Sequence, residues 1–226
     1  MTDAAGVVGG VICVALLGLA VLAVLWGRRV RRRQWDRTQT WAQQHGWAAI
    51  PRPPVDWWRR LPGANPRGIT LMLSGAIRER PVHVAAYEVT DVSFDAQGGT
   101  TSNTNHYTVV VTSLSRPLPE IVVEPRRGLS KLKNKVAGPG NAGSGDPAFD
   151  RDFRIRTSAP HTVAHWCTPE VRAAHASGHV LLPWSVQGRE LLHYTRGAVE
   201  LTSVISYASS LVWLAELIDS GGARER

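Results

Sequence analysis

The chain of 226 residues is long enough for one ordinary domain and an additional segment, and a hydrophobic content of 43% is enough for a buried core. This composition excludes an intrinsically disordered chain, and two cysteines are too few for a disulfide-stapled secreted module. The formal net charge of +8 is concentrated in residues 28–67, which hold ten Arg and two Asp, so the rest of the chain is nearly neutral and gives no hint of nucleic-acid binding.

Residues 1–27 predict a transmembrane anchor. Residues 7–26 (VVGGVICVALLGLAVLAVLW) are uncharged and would span roughly 30 Å as a helix, which is the thickness of the hydrocarbon core of a bilayer. Trp26 falls at the expected membrane interface, where an amphipathic ring is favoured. A cleaved signal peptide would need positive charge before the apolar run, whereas here the arginines follow it. We therefore expect a retained single-pass anchor.

The charges that follow the anchor predict its orientation in the plasma membrane. By the positive-inside rule, the N-terminus lies outside and residues 28–226 lie in the cytoplasm. The anchor also carries Gly6 and Gly10 at a GxxxG spacing, which could bring two copies together as a homodimer. The arginines that set the orientation are Arg28, Arg29, Arg31, Arg32 and Arg33.

Residues 28–67 form a basic, tryptophan-rich segment, predicted to be a juxtamembrane helix that ends at Gly46 and then a proline-rich linker. Two interpretations of its tryptophans stay open. Trp57 and Trp58 insert at headgroup level beside arginines that lie on the anionic leaflet, or they pack on the domain while the arginines only set the topology. Nucleic-acid binding ranks third, because membrane adjacency already explains the basic run. In the first interpretation the membrane-contacting residues are Trp26, the five arginines named above, Trp57 and Trp58.

Residues 68–220 predict one cytoplasmic α+β domain with an antiparallel β-sheet and packed helices, and residues 221–226 a tail. Residues 69–78 and 81–89 read as a hairpin around a Glu79-Arg80 turn, and residues 91–105 as a polar loop. Residues 129–136 could form one or two helical turns, and residues 138–145 a flexible loop. Residues 179–187 and 189–194 read as a second hairpin around Gly188. Further strands are predicted at 106–114, 121–124 and 153–158, and a helix broken near Pro169 at 160–177.

The last helix, predicted at residues 199–218, could be a second membrane span or a core helix. Only fifteen uncharged residues separate Glu200 from Glu216, which is short of the roughly 20 that a span needs. We expect a core helix with its apolar stripe on the sheet. The stripe consists of Leu201, Ile205, Ala208, Val212 and Ala215, widened by Leu211, Leu214 and Ile218.

Motifs that carry chemistry are scarce. The sequence has no GxSxG, Walker, HExxH or CxxC motif, so no catalytic residue and no cofactor is predicted. Cys13 falls in the anchor, and Cys167 is expected to be a buried thiol. His161 and His165 share a helical spacing that suits zinc, and His175 and His179 repeat it, but no third ligand completes a known zinc motif. The carboxylates Asp146, Asp150 and Asp152, interleaved with Arg151 and Arg154, predict a salt-bridged turn.

Several segments carry a resemblance to a known group of proteins. They are WAQQHGW, SGAIRERPVHVAAYEVTD with Gly75 and Arg80-Pro81-Val82, YTVVVTSL, PLPEIVVEPR and FDRDFRIRTS, which begins at Phe149. In this order, after an N-terminal anchor, the chain resembles single-pass membrane proteins of actinobacteria that carry a domain of unknown function. The resemblance implies no catalytic residues.

Three functions stay open. The first is a non-enzymatic binding or scaffolding module held at the inner face of the membrane for a protein partner. The second is lipid sensing through residues 28–67, and the third is a metal-dependent hydrolase that uses His161, His165, His175 and His179.

Overall fold

The computed structural model describes residues 26–27, 29, 32–94, 99–126 and 140–221. The predicted anchor before Trp26, with Gly6 and Gly10, lies outside the described residues, as do Arg28, Arg31 and the predicted helical turns at 129–136. The chain divides into two compact units, Met1–His45 and Gly46–Arg226. In the first unit, helix α1 (residues 32–44) is followed by Gly46 at φ +70°, which is the helix stop predicted from sequence.

The second unit contains an antiparallel sheet of seven strands within the described residues. The strand order is β1-β2-β3-β4-β6-β5, and β7 also pairs with β4. This arrangement confirms the predicted α+β class with an antiparallel sheet and a C-terminal helix. The strands are β1 (Ala48–Pro51), β2 (Ile69–Ile77), β3 (Arg80–Phe94), β4 (Thr100–Pro125), β5 (Asn141–Ala142), β6 (Phe153–Thr157) and β7 (Trp184–Arg196). The α-helices after α1 are α2 (Pro147–Asp152), α3 (Val163–Trp166), α4 (Pro169–Ala176) and α5 (Val204–Gly221).

The predicted first hairpin is confirmed, with its turn one residue earlier than expected. Ile77 pairs with Arg80, so Arg78 and Glu79 form a two-residue turn, and their φ angles are +49° and +65°. Two positive φ angles match the right-handed twist of the strands, as in a type I′ turn.

The prediction of a loop at residues 91–105 is wrong. The pairing of β3 with β4 continues through this region, from Val89 opposite Asn105 to Phe94 opposite Thr100. The side chains of residues 90–93 on β3 and 100–104 on β4 are exposed, and the Thr90 and Thr104 hydroxyls lie 3.0 Å apart across the ribbon. A ribbon with water on both faces needs no alternation of apolar and polar residues. Its sequence is therefore as polar as that of a loop, which explains the wrong prediction.

The predicted second hairpin around Gly188 is also wrong, because β7 runs through Gly188 as one strand. Residues 107–113 of β4 pair with residues 190–196 of β7. The register of this pairing shifts between Ser113 and Leu118 and again between Leu118 and Ile121. Gly188 has φ +61° and lies opposite Leu118 at this irregularity. A glycine at positive φ therefore marks a β-bulge here and not a chain reversal.

One face of the sheet is covered by residues 55–64, here called the covering segment. Trp57 is 5% exposed and Leu61 is 4% exposed, and both belong to a core cluster with Tyr87, Val109 and Leu192. The Tyr87 hydroxyl donates to the Pro62 carbonyl at 2.8 Å, which fastens the covering segment to β3. The compact unit that begins at Gly46 includes the covering segment.

The opposite face of the sheet is packed by α5, which contacts β2, β3, β4 and β7. The helix Leu201–Gly221 is long and apolar enough to cross a membrane by length and composition, judged over the described residues. Its inward face is nevertheless buried in the domain, as expected for a core helix. Most of the predicted stripe is buried, namely Ala208, Leu211, Val212, Leu214, Ala215 and Ile218, with Val204 in addition, while Leu201 and Ile205 are half-buried.

Ion pairs fix the C-terminal end of α5 to the sheet. Arg80 Nη2 lies 2.8 Å from Asp219 Oδ2, and both side chains are mostly buried. The same carboxylate accepts from the backbone N and the hydroxyl of Ser115. Arg78 adds an exposed ion pair with Glu216 at 2.9 Å.

Candidate functional site

A cleft of about 320 Å³ lies between the covering segment and strands β4, β6 and β7. Its floor consists of residues that are cross-strand neighbours, because Val122 on β4 pairs with Arg156 on β6 and with Ser185 on β7. Side chains alternate along a strand, so Glu124 faces the same side as Val122, while Val123, Ile155 and Trp184 are buried on the other face. The charged residues that line the cleft are Asp56, Arg59, Arg60, Glu120, Glu124 and Arg156.

Glu190 joins one wall of the cleft to strand β7. Its carboxylate accepts from Arg60 Nη2 at 2.8 Å and from Trp57 Nε1 at 3.1 Å. Its backbone carbonyl accepts from Arg60 Nη1 at 3.3 Å. Burial lowers the pKa of the Arg60 guanidinium, and the charge of Glu190 opposes that shift. Glu190 therefore holds the desolvated Arg60 in place at the edge of the cleft.

The opposite side of the cleft carries a looser charge cluster. Glu124 Oε1 lies 3.7 Å from Arg154 Nη1 and 3.9 Å from Arg156 Nε. Both distances are too long for hydrogen bonds, although they allow attraction between the charges. Arg156 Nε is buried and has no hydrogen-bond partner in the described part of the chain. The Arg156 side chain as a whole is 27% exposed, so part of it can contact a ligand in the cleft.

Tyr194 forms an aromatic border of the cleft. Tyr194 lines it and packs edge-on against Tyr107 at a ring-centroid distance of 6.2 Å. Burial raises the pKa of the Tyr194 hydroxyl, so this group stays protonated at neutral pH and can both donate and accept. On the covering segment, the Arg59 guanidinium lies 5.1 Å from the centroid of the half-buried Trp58 ring.

The structure does not bring the predicted histidines together as a metal site. No group of three or more His, Cys, Asp or Glu residues that could hold a metal occurs among residues 32–94, 99–126 and 140–221. His175 is 3% exposed, and its ring bridges Val171 O at 2.7 Å and Trp184 Nε1 at 3.0 Å. Since Trp184 Nε1 can only donate, His175 Nε2 accepts and Nδ1 carries the proton.

The remaining histidines and Cys167 also lack a catalytic arrangement. His161 and His165 are exposed on consecutive turns, and exposed His179 packs edge-on against Trp213 at 6.4 Å. Burial raises the pKa of the Cys167 thiol to about 11, so it is not a thiolate at neutral pH. The prediction of a buried thiol at Cys167 is confirmed.

The predicted salt-bridged turn at residues 146–154 is built differently from the expectation. Asp146 caps α2 by accepting from the backbone N of Ala148 at 2.9 Å, and its charge partner is Arg172 at 3.4 Å. Asp150 accepts from the backbone N of Ser144 at 2.9 Å. These carboxylates serve the local backbone, so they are structural.

The predicted membrane-contacting residues fall into two groups. Trp57 is in the core and donates to Glu190, which is the second of the two alternatives open from sequence. Its indole is therefore not available at a membrane surface in this structure. Trp26, in the first unit, is 76% exposed. Arg29, Arg32 and Arg33 are exposed as well.

The cleft residues Glu120, Glu124 and Arg156, and Glu190 beside them, were missed from sequence. One signal was present, because Arg154 and Arg156 alternate with the apolar Phe153 and Ile155 in β6. Such alternation places charge on the face opposite the core. Nothing in the sequence shows that residues far apart in the chain meet on this face.

No protein-family model matches the chain, and no curated protein matches it. The structure is similar to the crystal structure of the mycobacterial trehalose monomycolate transport factor A, TtfA, with a TM-score of 0.50. The alignment covers 82% of this chain and 92% of that chain at 13% sequence identity. At this identity the likeness shows the fold alone. The resemblance to actinobacterial single-pass membrane proteins stays a prediction.

Proposed function

We propose that this protein is a membrane-anchored, non-enzymatic binding module whose cleft between the covering segment and strands β4, β6 and β7 receives the ligand. The cleft is the observation that carries the proposal, because it combines a defined volume with the partly exposed charged side chains of Arg156 and Glu124. Concave sites with a few fixed polar groups are the usual form of small-ligand sites.

The chemistry of the side chains supports binding over catalysis. Two of the candidate chemical groups have structural roles: Cys167 is a buried thiol, and both ring nitrogens of His175 are hydrogen-bonded. The charged groups at the cleft are arginines and carboxylates that lie close to one another. Such groups can orient a ligand through hydrogen bonds.

The membrane part of the proposal rests on the sequence and on one likeness. The apolar run at residues 7–26 and the arginines after it predict an anchor with the domain in the cytoplasm. TtfA shares the fold and is named for the transport of trehalose monomycolate. A role at the membrane in handling a lipid-linked ligand fits both observations.

A photo-crosslinking experiment tests the use of the cleft without assuming a ligand class. The photoreactive residue p-benzoylphenylalanine replaces Ser185 on the cleft floor in the full chain, and Ser102 on the exposed ribbon serves as the matched control. We expect an adduct at residue 185 and none at residue 102 after irradiation of cells. Equal labelling at both positions, or none at either, would refute binding at the cleft.

A fractionation experiment tests the anchor. The full chain should stay with the membrane pellet in alkaline carbonate, and protease added outside sealed cells should leave the domain intact. Release by carbonate, or digestion of the domain from outside, would contradict the proposed topology.

The burial of Trp57 reduces the set of residues that could sense lipid at the membrane surface. The described residues still available for it are the exposed Trp26, Arg29, Arg32 and Arg33. A variant that lacks residues 1–25 tests this role when it is floated with vesicles of anionic or neutral lipid. A lack of preference for anionic lipid would exclude it.

A further inference from the structure

We propose that the cleft recognises a neutral, polyhydroxylated group, a sugar of about disaccharide size. This inference rests on the proposed function and names the class of ligand that the cleft takes.

The first argument is the charge balance of the cleft. Its lining holds three arginines and three carboxylates, so the formal balance is zero. Glu190, which does not line the cleft, pairs with Arg60 at 2.8 Å. The remaining lining charges are Arg59 and Arg156 against Asp56, Glu120 and Glu124, a formal balance of −1. An anionic group such as phosphate gains no net attraction from this set.

The second argument is the hydrogen-bonding capacity of the floor. Glu124 and Arg156 are 3.9 Å apart, near enough to attract and too far to hydrogen-bond. A hydroxyl can donate to the carboxylate and accept from the guanidinium at the same time. Two neighbouring hydroxyls of a sugar ring would bind Arg156 and Glu124 together, because these side chains are 27% and 21% exposed.

The third argument is the shape and the apolar part of the lining. Leu61, Pro62 and Val122 supply apolar surface for the C–H face of a sugar ring, and Tyr194 supplies an aromatic border. A volume of about 320 Å³ is at the lower end of the range for ligand sites, roughly 300–1,000 Å³. The cleft therefore suits a headgroup, and a long acyl chain would extend beyond it.

The test is binding of defined sugars to the full chain in nanodiscs, because many detergents carry sugar headgroups. Titration calorimetry uses free trehalose and sucrose in one arm and an alkyl disaccharide in a second arm. Binding in both arms shows recognition of the headgroup itself, and binding in the second arm alone shows that the source is lipid-linked. No binding in either arm, or binding of inorganic phosphate in place of sugar, overturns the proposal.

Paired variants assign any binding to the cleft. Glu124→Gln and Arg156→Gln remove one charge each from the floor, and we expect at least about fivefold weaker sugar binding because a charge-assisted hydrogen bond is lost. The matched controls are Glu88→Gln and Arg78→Gln, which carry exposed ion pairs outside the cleft and should bind as the parent does. Ser185→Trp fills the floor and should abolish binding, with folding of every variant checked by its unfolding midpoint.

The crosslinking experiment separates the two proposals. A polypeptide adduct at residue 185 together with no sugar binding would overturn the sugar inference while the binding function stands. The absence of both an adduct and sugar binding would overturn both. Equal loss of binding in cleft variants and controls would also count against the assignment to the cleft.

Discussion

Gly75 is a position where the fold leaves no room for a side chain. A Cβ placed on Gly75 would lie 2.3 Å from Trp47 Cδ2, 2.4 Å from Cε2 and 2.6 Å from Cγ. Trp47 is 6% exposed and directly precedes the edge strand β1, whose Ala48 pairs with Ser74 on β2. A methyl group on Gly75 must therefore push a buried indole and the adjoining strand away from β2.

The expected cost of Gly75→Ala follows from two opposing effects. Overpacking of a well-packed core costs about 1–3 kcal/mol, and the clash with a rigid ring places this site at the upper end. Loss of glycine's freedom in the unfolded chain returns about 0.4–1 kcal/mol. The net change in the free energy of unfolding is then a loss of about 2 kcal/mol. Urea unfolding of the full chain, followed by circular dichroism, measures it.

Two comparisons make the prediction for Gly75 refutable. Gly140→Ala adds the same methyl group where nothing lies within 4 Å, so it should raise the free energy of unfolding by up to about 1 kcal/mol. In a Trp47→Leu background the clash is removed, so Gly75→Ala should become close to neutral. Equal unfolding midpoints for the two alanine variants, or an equal effect of Gly75→Ala in both backgrounds, would show that the close contact with Trp47 is not the cause.

Three further predictions concern stability. Glu79→Gly should stabilise the chain by about 1 kcal/mol in urea unfolding, because residue 79 has φ +65° in the type I′ turn, and a loss of stability would contradict that turn. Glu190→Ala removes the partner of Arg60 and should cost about 2 kcal/mol, against less than about 1 kcal/mol for Glu88→Ala on the surface, so equal losses would argue against the role of Glu190. Burial lowers the pKa of His193 from 6.5 to about 4, so the unfolded chain takes up its proton first and the urea midpoint should fall as the pH drops from 6.5 to 4. His193→Leu should flatten this fall, and an unchanged slope would exclude His193 as a main source.

Elements with one face on the core could be predicted from the sequence. The β2–β3 hairpin, strand β6 and helix α5 each show the periodicity of their buried face, and the structure has them close to the expected bounds. Helices α3 and α4 are separated near Pro169 as expected, since Thr168 accepts from the backbone N of Val171 and Pro169 opens the new helix.

Elements without such a face could not be predicted. The ribbon beyond Thr90 is wet on both sides, so alternation carries no information there. Gly188 in β7 has a positive φ, as a glycine in a hairpin turn does. Only its long-range pairing with Leu118 shows that the chain continues as a strand. The sequence allowed Trp57 to lie either at the lipid surface or in the core, because both environments accept an indole with an apolar body and one donor. Its partner Glu190 is 133 residues away.

The register shifts in the pairing of β4 with β7 lie between the covered part of the sheet and the cleft. The register shifts between Ser113 and Ile121 divide the sheet into two parts, and the described contacts of the covering segment fall on the first part, at Tyr87, Val109 and Leu192. The second part, around Val122, keeps charged side chains on the uncovered face, while its other face is sealed by Trp184 and its neighbours. Polar residues on that face would be unnecessary if a helix covered it, and apolar residues there would expose a sticky patch. The same alternation that buries one face of the sheet therefore leaves the other able to hold a polar ligand.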